Sequence, residues 1–121
     1  MSSESAKNPR KLSKKIAFTA IDKDGVNVAL EKECWYGHIL IHHKRQMQHR
    51  LLDIKSTIEH PDRIDQNFEK GVKNRVYFKK WQNRDPFGNH YLLVATEIVE
   101  NNVARVLSAY PLFALPSKGD K

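Results

Sequence analysis

The sequence has little of what marks secreted or membrane proteins. Its single cysteine, Cys34, cannot close an internal disulfide, which makes the reducing cytoplasm the default location. No apolar run approaches the roughly 18 residues that span a bilayer, and the first 15 residues include no apolar segment of the kind found in secretory signals. We therefore expect a cytoplasmic protein that makes no membrane contact.

Motifs of several enzyme classes are also missing. There is no Gly-rich phosphate loop, G-x-S-x-G, Cys-x-x-Cys or His-Glu-x-x-His, so we expect neither a small-molecule cofactor nor a bound metal. Cys34, His38 and His42 do form an i, i+4, i+8 row, which suggests zinc. However, residues eight apart lie about 12 Å apart along a helix, too far for bonds of about 2.0 to 2.3 Å to one ion. The alternative for each histidine is a hydrogen-bonded polar group at the edge of the core.

Positive charge, in contrast, is in excess. The 121 residues include 21 Lys and Arg against 14 Asp and Glu, a net charge of +7. Such an excess attracts polyanions and speeds encounter with them, although it can also serve solubility alone. The charge therefore indicates a nucleic-acid partner, with RNA as the expected one.

The pattern of apolar residues predicts one domain over 14–115, between flexible tails at 1–13 and 116–121. Two apolar runs at 16–21 and 26–30 flank Asp-Lys-Asp-Gly, and Gly25 supplies the positive φ of a hairpin turn. Helical spacing follows over 31–48 and 51–60, where Pro61 ends the second helix.

A period of two then predicts three strands, at 74–81, 90–100 and 103–110, joined by turns at 85–89 and 101–102. The expected fold class is α+β: an N-terminal hairpin and two helices packed on an antiparallel sheet of three to four strands.

Two of these strands include residues suited to RNA. Strand alternation places Arg75, Tyr77, Lys79 and Trp81 on one face, and cations interleaved with aromatics bind phosphates and stack on bases. An ordinary solvent-facing strand is the alternative. Ser108 and Tyr110 share a face with Ala104 and Val106 in the same way, either as core polar groups or as the lining of a site covered by the first helix.

Four segments, taken in order, resemble the phage-associated nucleases of the barnase–EndoU–colicin–RelE-like (BECR) group, over 26–111. They are similar to its W..HI....H helix, its P-D-x-I turn, its YY(R/K) strand and its closing (T/S)AYP, at 35–43, 57–64, 75–79 and 107–111. The sequence departs from that pattern after His43, where Lys44-Arg45 replaces P-E, and the choice between His42 and His43 as the key histidine stays open.

The resemblance implies a metal-independent endoribonuclease, with tRNA as a candidate substrate. The 2′-OH attacks the phosphate and leaves a 2′,3′-cyclic phosphate, in a cleft between the first helix and the sheet. Carried over by position, the catalytic residues are His43, His38, Lys79, Ser108 and Tyr110. The substrate-binding residues are Arg75, Tyr77, Lys80 and His42.

Such an enzyme would be a toxin or a nuclease of a phage or mobile element, and an acidic antitoxin or immunity protein is a compatible partner. Two alternatives need no catalysis: a nucleic-acid-binding module and a protein-interaction domain. A substrate without the 2′-OH, compared with ordinary RNA, separates the nuclease from the binding module. The nuclease binds both but cuts only the RNA, whereas the binding module cuts neither.

Overall fold

A six-stranded mixed sheet dominates the computed structural model, which describes residues 12–69, 72–84 and 87–116. The sheet order is β1-β2-β6-β5-β4-β3, and all neighbours are antiparallel except β2 and β6, which run parallel. The strands are β1 (Ile16–Ile21), β2 (Asn27–Glu31), β3 (Arg63–Glu69), β4 (Val72–Arg84), β5 (Gly88–Glu100) and β6 (Val103–Leu112).

Two helical segments connect β2 to β3. The first, α1, has three consecutive pieces: a turn at Lys32–Cys34, a π-helical stretch at Trp35–Ile39 and an α-helix at Leu40–Met47. The second, α2, covers Leu51–Glu59 and ends two residues before Pro61, because the residue that precedes a proline is disfavoured in the helical region.

The core lies between the helices and one face of the sheet. Helix α1 contacts β6, while α2 contacts β1, β4 and β5. Apolar residues at helical spacing on α2 and at alternate positions on the strands supply the contacts. The largest fully buried side chains of this core are Leu30, Ile39, Met47, Ile54, Ile58, Tyr77 and Leu92.

The predicted layout is wrong in three respects. The hairpin β1–β2 is part of the sheet, because β2 pairs with β6 in parallel, Asn27 opposite Val103. The segment 63–69 forms a further strand, so the sheet has six strands and is mixed, not an antiparallel sheet of three to four. Edge strands carry charged and polar residues, and Arg63, Asp65 and Gln66 in β3 hid the apolar alternation from the sequence analysis.

The hairpin turn is built as its composition demands. Gly25 has φ of 84°, a conformation that other residues rarely adopt. The Oδ1 atom of Asp22 accepts hydrogen bonds from the backbone N–H groups of Asp24 and Val26, at 2.8 and 2.9 Å. Except for residues 12, 13 and 116, the predicted tails lie outside the described residues. Residues 85–86 of the predicted turn also lie outside them.

Candidate active site

The C-terminal half of α1 carries histidines on an accessible surface. His38 and His42 are exposed, and their ring centroids lie 4.8 Å apart. This proximity follows from helical spacing, because residues four positions apart share one face. The centroids of His42 and His43 are 6.4 Å apart. His42 thus contacts both of its neighbours, but it shares a cavity with His43, whereas His38 lines a separate one.

His43 lies at a kink in α1, where φ of −136° and ψ of 35° depart from helical values. The side chain is half-buried, with Nδ1 3.1 Å from Oε1 of Gln46 and the ring centroid 5.2 Å from that of Tyr110. With the amide oxygen of Gln46 as acceptor, Nδ1 carries the ring proton and Nε2 retains its lone pair. His43 is thus oriented as a base.

A cavity of about 580 Å³ opens at this end of α1, within the range of about 300 to 1,000 Å³ common for ligand sites. Imidazoles, cations and amides dominate its wall, and no carboxylate occurs among the described residues that line it. Cations attract phosphate, and an aromatic ring can stack on a base. We call this cavity the histidine cavity, and its lining residues are His42, His43, Lys44, Arg45, Gln46, Gln48 and Phe87.

A buried polar pair adjoins Phe87. Nη1 of Arg50 lies 2.7 Å from Nε2 of His90, and both residues are buried. Because a guanidinium only donates, Nε2 accepts, and the ring proton of His90 lies on Nδ1, 3.1 Å from the carbonyl oxygen of Gly88. The ring of His90 meets that of Phe87 at 5.5 Å between centroids, so this pair holds the wall of the cavity that Phe87 forms.

The sequence analysis placed Ser108 and Tyr110 on the same face of β6 as Ala104 and Val106. A register shift in β6 separates these two pairs. Val106 pairs with Thr96, whereas Ser108 pairs with the preceding residue, Ala95, which leaves Leu107 as an extra residue, a β-bulge. Val106 is buried in the core, whereas Ser108 and Tyr110 are half-buried. Of these two residues, Tyr110 is the one whose ring contacts that of His43.

Arg75 and Tyr77, predicted to bind substrate, are instead 4% and 0% exposed. Nε of Arg75 donates to Oδ2 of Asp22 at 2.8 Å and to the hydroxyl of Tyr77 at 3.0 Å. The Tyr77 hydroxyl itself donates to Oδ2 of Asp22 at 2.6 Å, and Nη2 of Arg75 reaches Asp24 at 2.5 Å. We call Asp22, Arg75 and Tyr77 the buried network. Its polar atoms bind one another, Asp24 and the backbone of the hairpin turn.

The pKa shifts of the buried network have a common origin. Burial, followed by the hydrogen bond to Asp22, raises the pKa of Tyr77. Burial also acts to raise the pKa of Asp22, but hydrogen bonds from Tyr77 and from two backbone N–H groups, with the charge of Arg75, outweigh it and leave that pKa below its ordinary value. The network is therefore an ionised carboxylate, a guanidinium and a neutral phenol at neutral pH.

Lys79 and Lys80 line a different cavity from the one at the histidines. Nζ of Lys79 donates to the carbonyl oxygen of His60 at 3.1 Å and lies 5.7 Å from the ring centroid of Trp81. Lys80 is exposed. The predicted charge-stabilising lysine is thus not in the wall of the histidine cavity, where Lys44 and Arg45 stand instead.

Cys34 is part of the packing between α1 and β6. Its Sγ lies 3.5 Å from the carbonyl oxygen of Leu107. Burial, with a smaller contribution from the charge of Glu31, raises the pKa of the thiol to about 11, so the group is neutral at physiological pH. Within the described part of the chain, no three His, Cys, Asp or Glu residues converge as a metal site would require.

Ring contacts thus connect four of the predicted site residues in a row: His38, His42 and His43 on α1, and Tyr110 on β6. Sequence analysis overlooked Gln46 and Phe87, and it treated Lys44-Arg45 only as a departure from the nuclease pattern. The one available signal was that this basic pair directly follows His43. Nothing local marks Phe87, which directly precedes β5 and is far from His43 along the chain.

Comparisons with known proteins found no match for the chain. No family model matches it, and neither curated proteins nor solved structures supply a significant match. None of the helices in the described ranges is both long and apolar enough to cross a bilayer.

Proposed function

We propose that the protein is a metal-independent endoribonuclease whose active site is the cavity at the end of α1. One observation carries this proposal: half-buried His43, tied through Nδ1 to Gln46, lies against Tyr110 in a cavity that also has Lys44 and Arg45 in its wall. An imidazole that can accept a proton, beside cations that can stabilise charge on phosphorus, is sufficient in principle to cleave RNA, since the nucleophile belongs to the substrate.

In this mechanism Nε2 of His43 takes the proton of the 2′-OH as that oxygen attacks phosphorus. Lys44 and Arg45 neutralise the charge that develops on the phosphorane oxygens, and Tyr110 holds the ring of His43. His42, assisted by His38, donates a proton to the departing 5′-oxygen. The products are a 2′,3′-cyclic phosphate and a 5′-OH. Imidazole is the side chain best suited to take up and release protons near neutral pH, so two histidines can share the acid and base roles.

The test is incubation of the purified protein with tRNA in excess EDTA. We expect cyclic-phosphate ends from the parent and from His49→Ala, a matched control because His49 is an exposed histidine outside the cavity lining. We expect none from His43→Ala. Equal cleavage by the parent and His43→Ala, or no cleavage by any of them, would refute the proposal.

A second candidate is an RNA-binding module without catalysis. It is favoured by the position of Lys79, the lysine expected to stabilise the transition state, which binds the carbonyl oxygen of His60. The site retains cations and an aromatic wall but would lack chemistry. Salt-dependent binding of RNA without cleavage would establish this candidate instead.

For either function we propose the cytoplasm as the location. If the enzyme is a toxin or a phage-borne nuclease, its inhibitor would be an acidic antitoxin or immunity protein, because Lys44 and Arg45 at the cavity would attract carboxylates as well as phosphates.

A further inference from the structure

A second cavity, of about 480 Å³, lies on the sheet and takes no part in the proposed chemistry. Its wall includes Lys79 and Lys80 from β4, Tyr91 from β5 and Leu115 from the segment after β6. We call it the sheet cavity. Its volume is ample for a nucleotide, since ligand sites begin at about 300 Å³.

The charges of the sheet cavity leave an excess of cations. Arg63 at its rim is neutralised by a two-pronged salt bridge to Asp65, with both N–O distances 2.9 Å. Asp62 is the only carboxylate among the lining residues that the structure describes, against the two ammonium groups of Lys79 and Lys80. The sheet cavity therefore favours an anionic ligand such as phosphate over a neutral one.

The aromatic wall points to a base as the other half of the ligand. The ring of Trp81 already has the guanidinium of Arg50 and the ammonium of Lys79 within 6 Å of its centroid, at 5.6 and 5.7 Å. Half-buried Tyr91 is the better stacking surface. Cations together with a ring form the usual combination for single-stranded nucleic acid.

The two cavities have no described lining residue in common, but contacts of Phe87 relate them. The ring of His90 meets that of Phe87 in the histidine cavity. The next residue of β5, Tyr91, points to the opposite face of the sheet and lines the sheet cavity. The ring of Phe113 also meets Phe87, at 6.0 Å between centroids, and Leu115 lines the sheet cavity. Two residues of chain span at most about 7 Å, so one RNA strand of a few nucleotides can reach both sites.

We propose that the sheet cavity binds a nucleotide that flanks the scissile phosphate, with its base on Tyr91 and its phosphate at Lys79 and Lys80. The proposal rests on the proposed function, because it makes the cavity a subsite of the same RNA strand. Specificity for the sequence next to the cleaved bond would then reside in the sheet and not in α1.

Trp81 in the wall supplies a direct readout. In a Trp35→Phe background it is the only tryptophan, so its fluorescence reports on this cavity. A short oligoribonucleotide with every 2′-OH methylated, which cannot be cleaved, should change that fluorescence on binding. Tyr91→Leu should weaken binding about tenfold, as expected for loss of one stacked base. Lys80→Ala should lower the slope of log Kd against log salt by about 1.

The matched control is Lys73→Ala, which removes an exposed lysine of the same strand outside the lining and should leave both quantities unchanged. If RNA binds without altering Trp81 fluorescence, and with equal affinity in all variants, the subsite proposal is overturned. Cleavage of unmodified RNA in EDTA is scored separately. Absent cleavage with an intact Trp81 response overturns the proposed chemistry alone, whereas cleavage without that response overturns the subsite alone.

Discussion

The buried network and the histidine cavity both combine cations with an aromatic ring, yet only one is open to a ligand. In the network, Arg75 and Tyr77 direct their polar atoms at Asp22 and are almost wholly enclosed. In the cavity, Lys44 and Arg45 are exposed and His43 is half-buried. Residue types alone therefore do not define a binding site. What matters is whether their hydrogen-bonding capacity is already satisfied within the protein.

The sharpest way to break this contrast is to remove the guanidinium of the network. Arg75→Ala leaves the carboxylate of Asp22 buried without its cation, and we expect a loss of about 3 to 5 kcal/mol in the free energy of unfolding. Urea denaturation followed by circular dichroism measures it. Lys73→Ala on the same strand should change stability by less than about 0.5 kcal/mol. Similar midpoints for Arg75→Ala and the parent would mean that the network is not structural.

The cavity should show the opposite behaviour. His43→Ala should lower kcat/KM for RNA by at least about a hundredfold, the usual minimum for loss of a general base, while the urea midpoint stays near that of the parent. His49→Ala serves as the control. A variant that unfolds early but retains its activity per folded molecule would assign His43 to packing against Tyr110.

The contribution of the buried network to stability should depend on pH through the pKa of Asp22. Because its folded-state pKa is depressed, the unfolded chain binds the proton more tightly, and the contribution of Asp22 to stability is complete above the unfolded value of about 4. It is lost as pH falls through the folded-state pKa. We expect the urea midpoint of the parent to drop below about pH 4, and that of Asp22→Asn to be lower at neutral pH and less dependent on acid.

The smallest effect concerns Gln46, a positioning residue for His43. Gln46→Leu removes the acceptor at Nδ1, a hydrogen bond worth about 1 kcal/mol, so we expect about a fivefold loss in kcat/KM and a displaced pH–rate profile. In a His43→Ala background the same substitution should have no further effect. An unchanged profile would show that the contact does not orient the imidazole.

Local chemistry made some features predictable. Gly25 and the carboxylate of Asp22 specify the hairpin turn through backbone conformation and short-range hydrogen bonds, and Pro61 limits α2. The row of His38 and His42 needs only helical spacing. In contrast, the parallel pairing of β2 with β6 depends on a partner far along the chain, which no local pattern shows. The strand β3 pairs with the next strand, β4, but its polar residues obscure the apolar alternation that predicts a strand.

The candidate site likewise has features that local sequence predicts and features that depend on long-range packing. That imidazoles lie together on α1 was a property of their spacing. That His43 meets Tyr110 depends on the kink in α1 and on the packing of that helix against β6.

The sequence by itself determined the excess of positive charge, the histidine row and the turn at Gly25, because each is a matter of composition or of a few neighbouring residues. Only the tertiary structure decided that Arg75 and Tyr77 are enclosed and that Lys44 and Arg45 are not. Burial is the reason: whether a cation serves a ligand or a carboxylate of its own chain depends on which distant segment packs beside it.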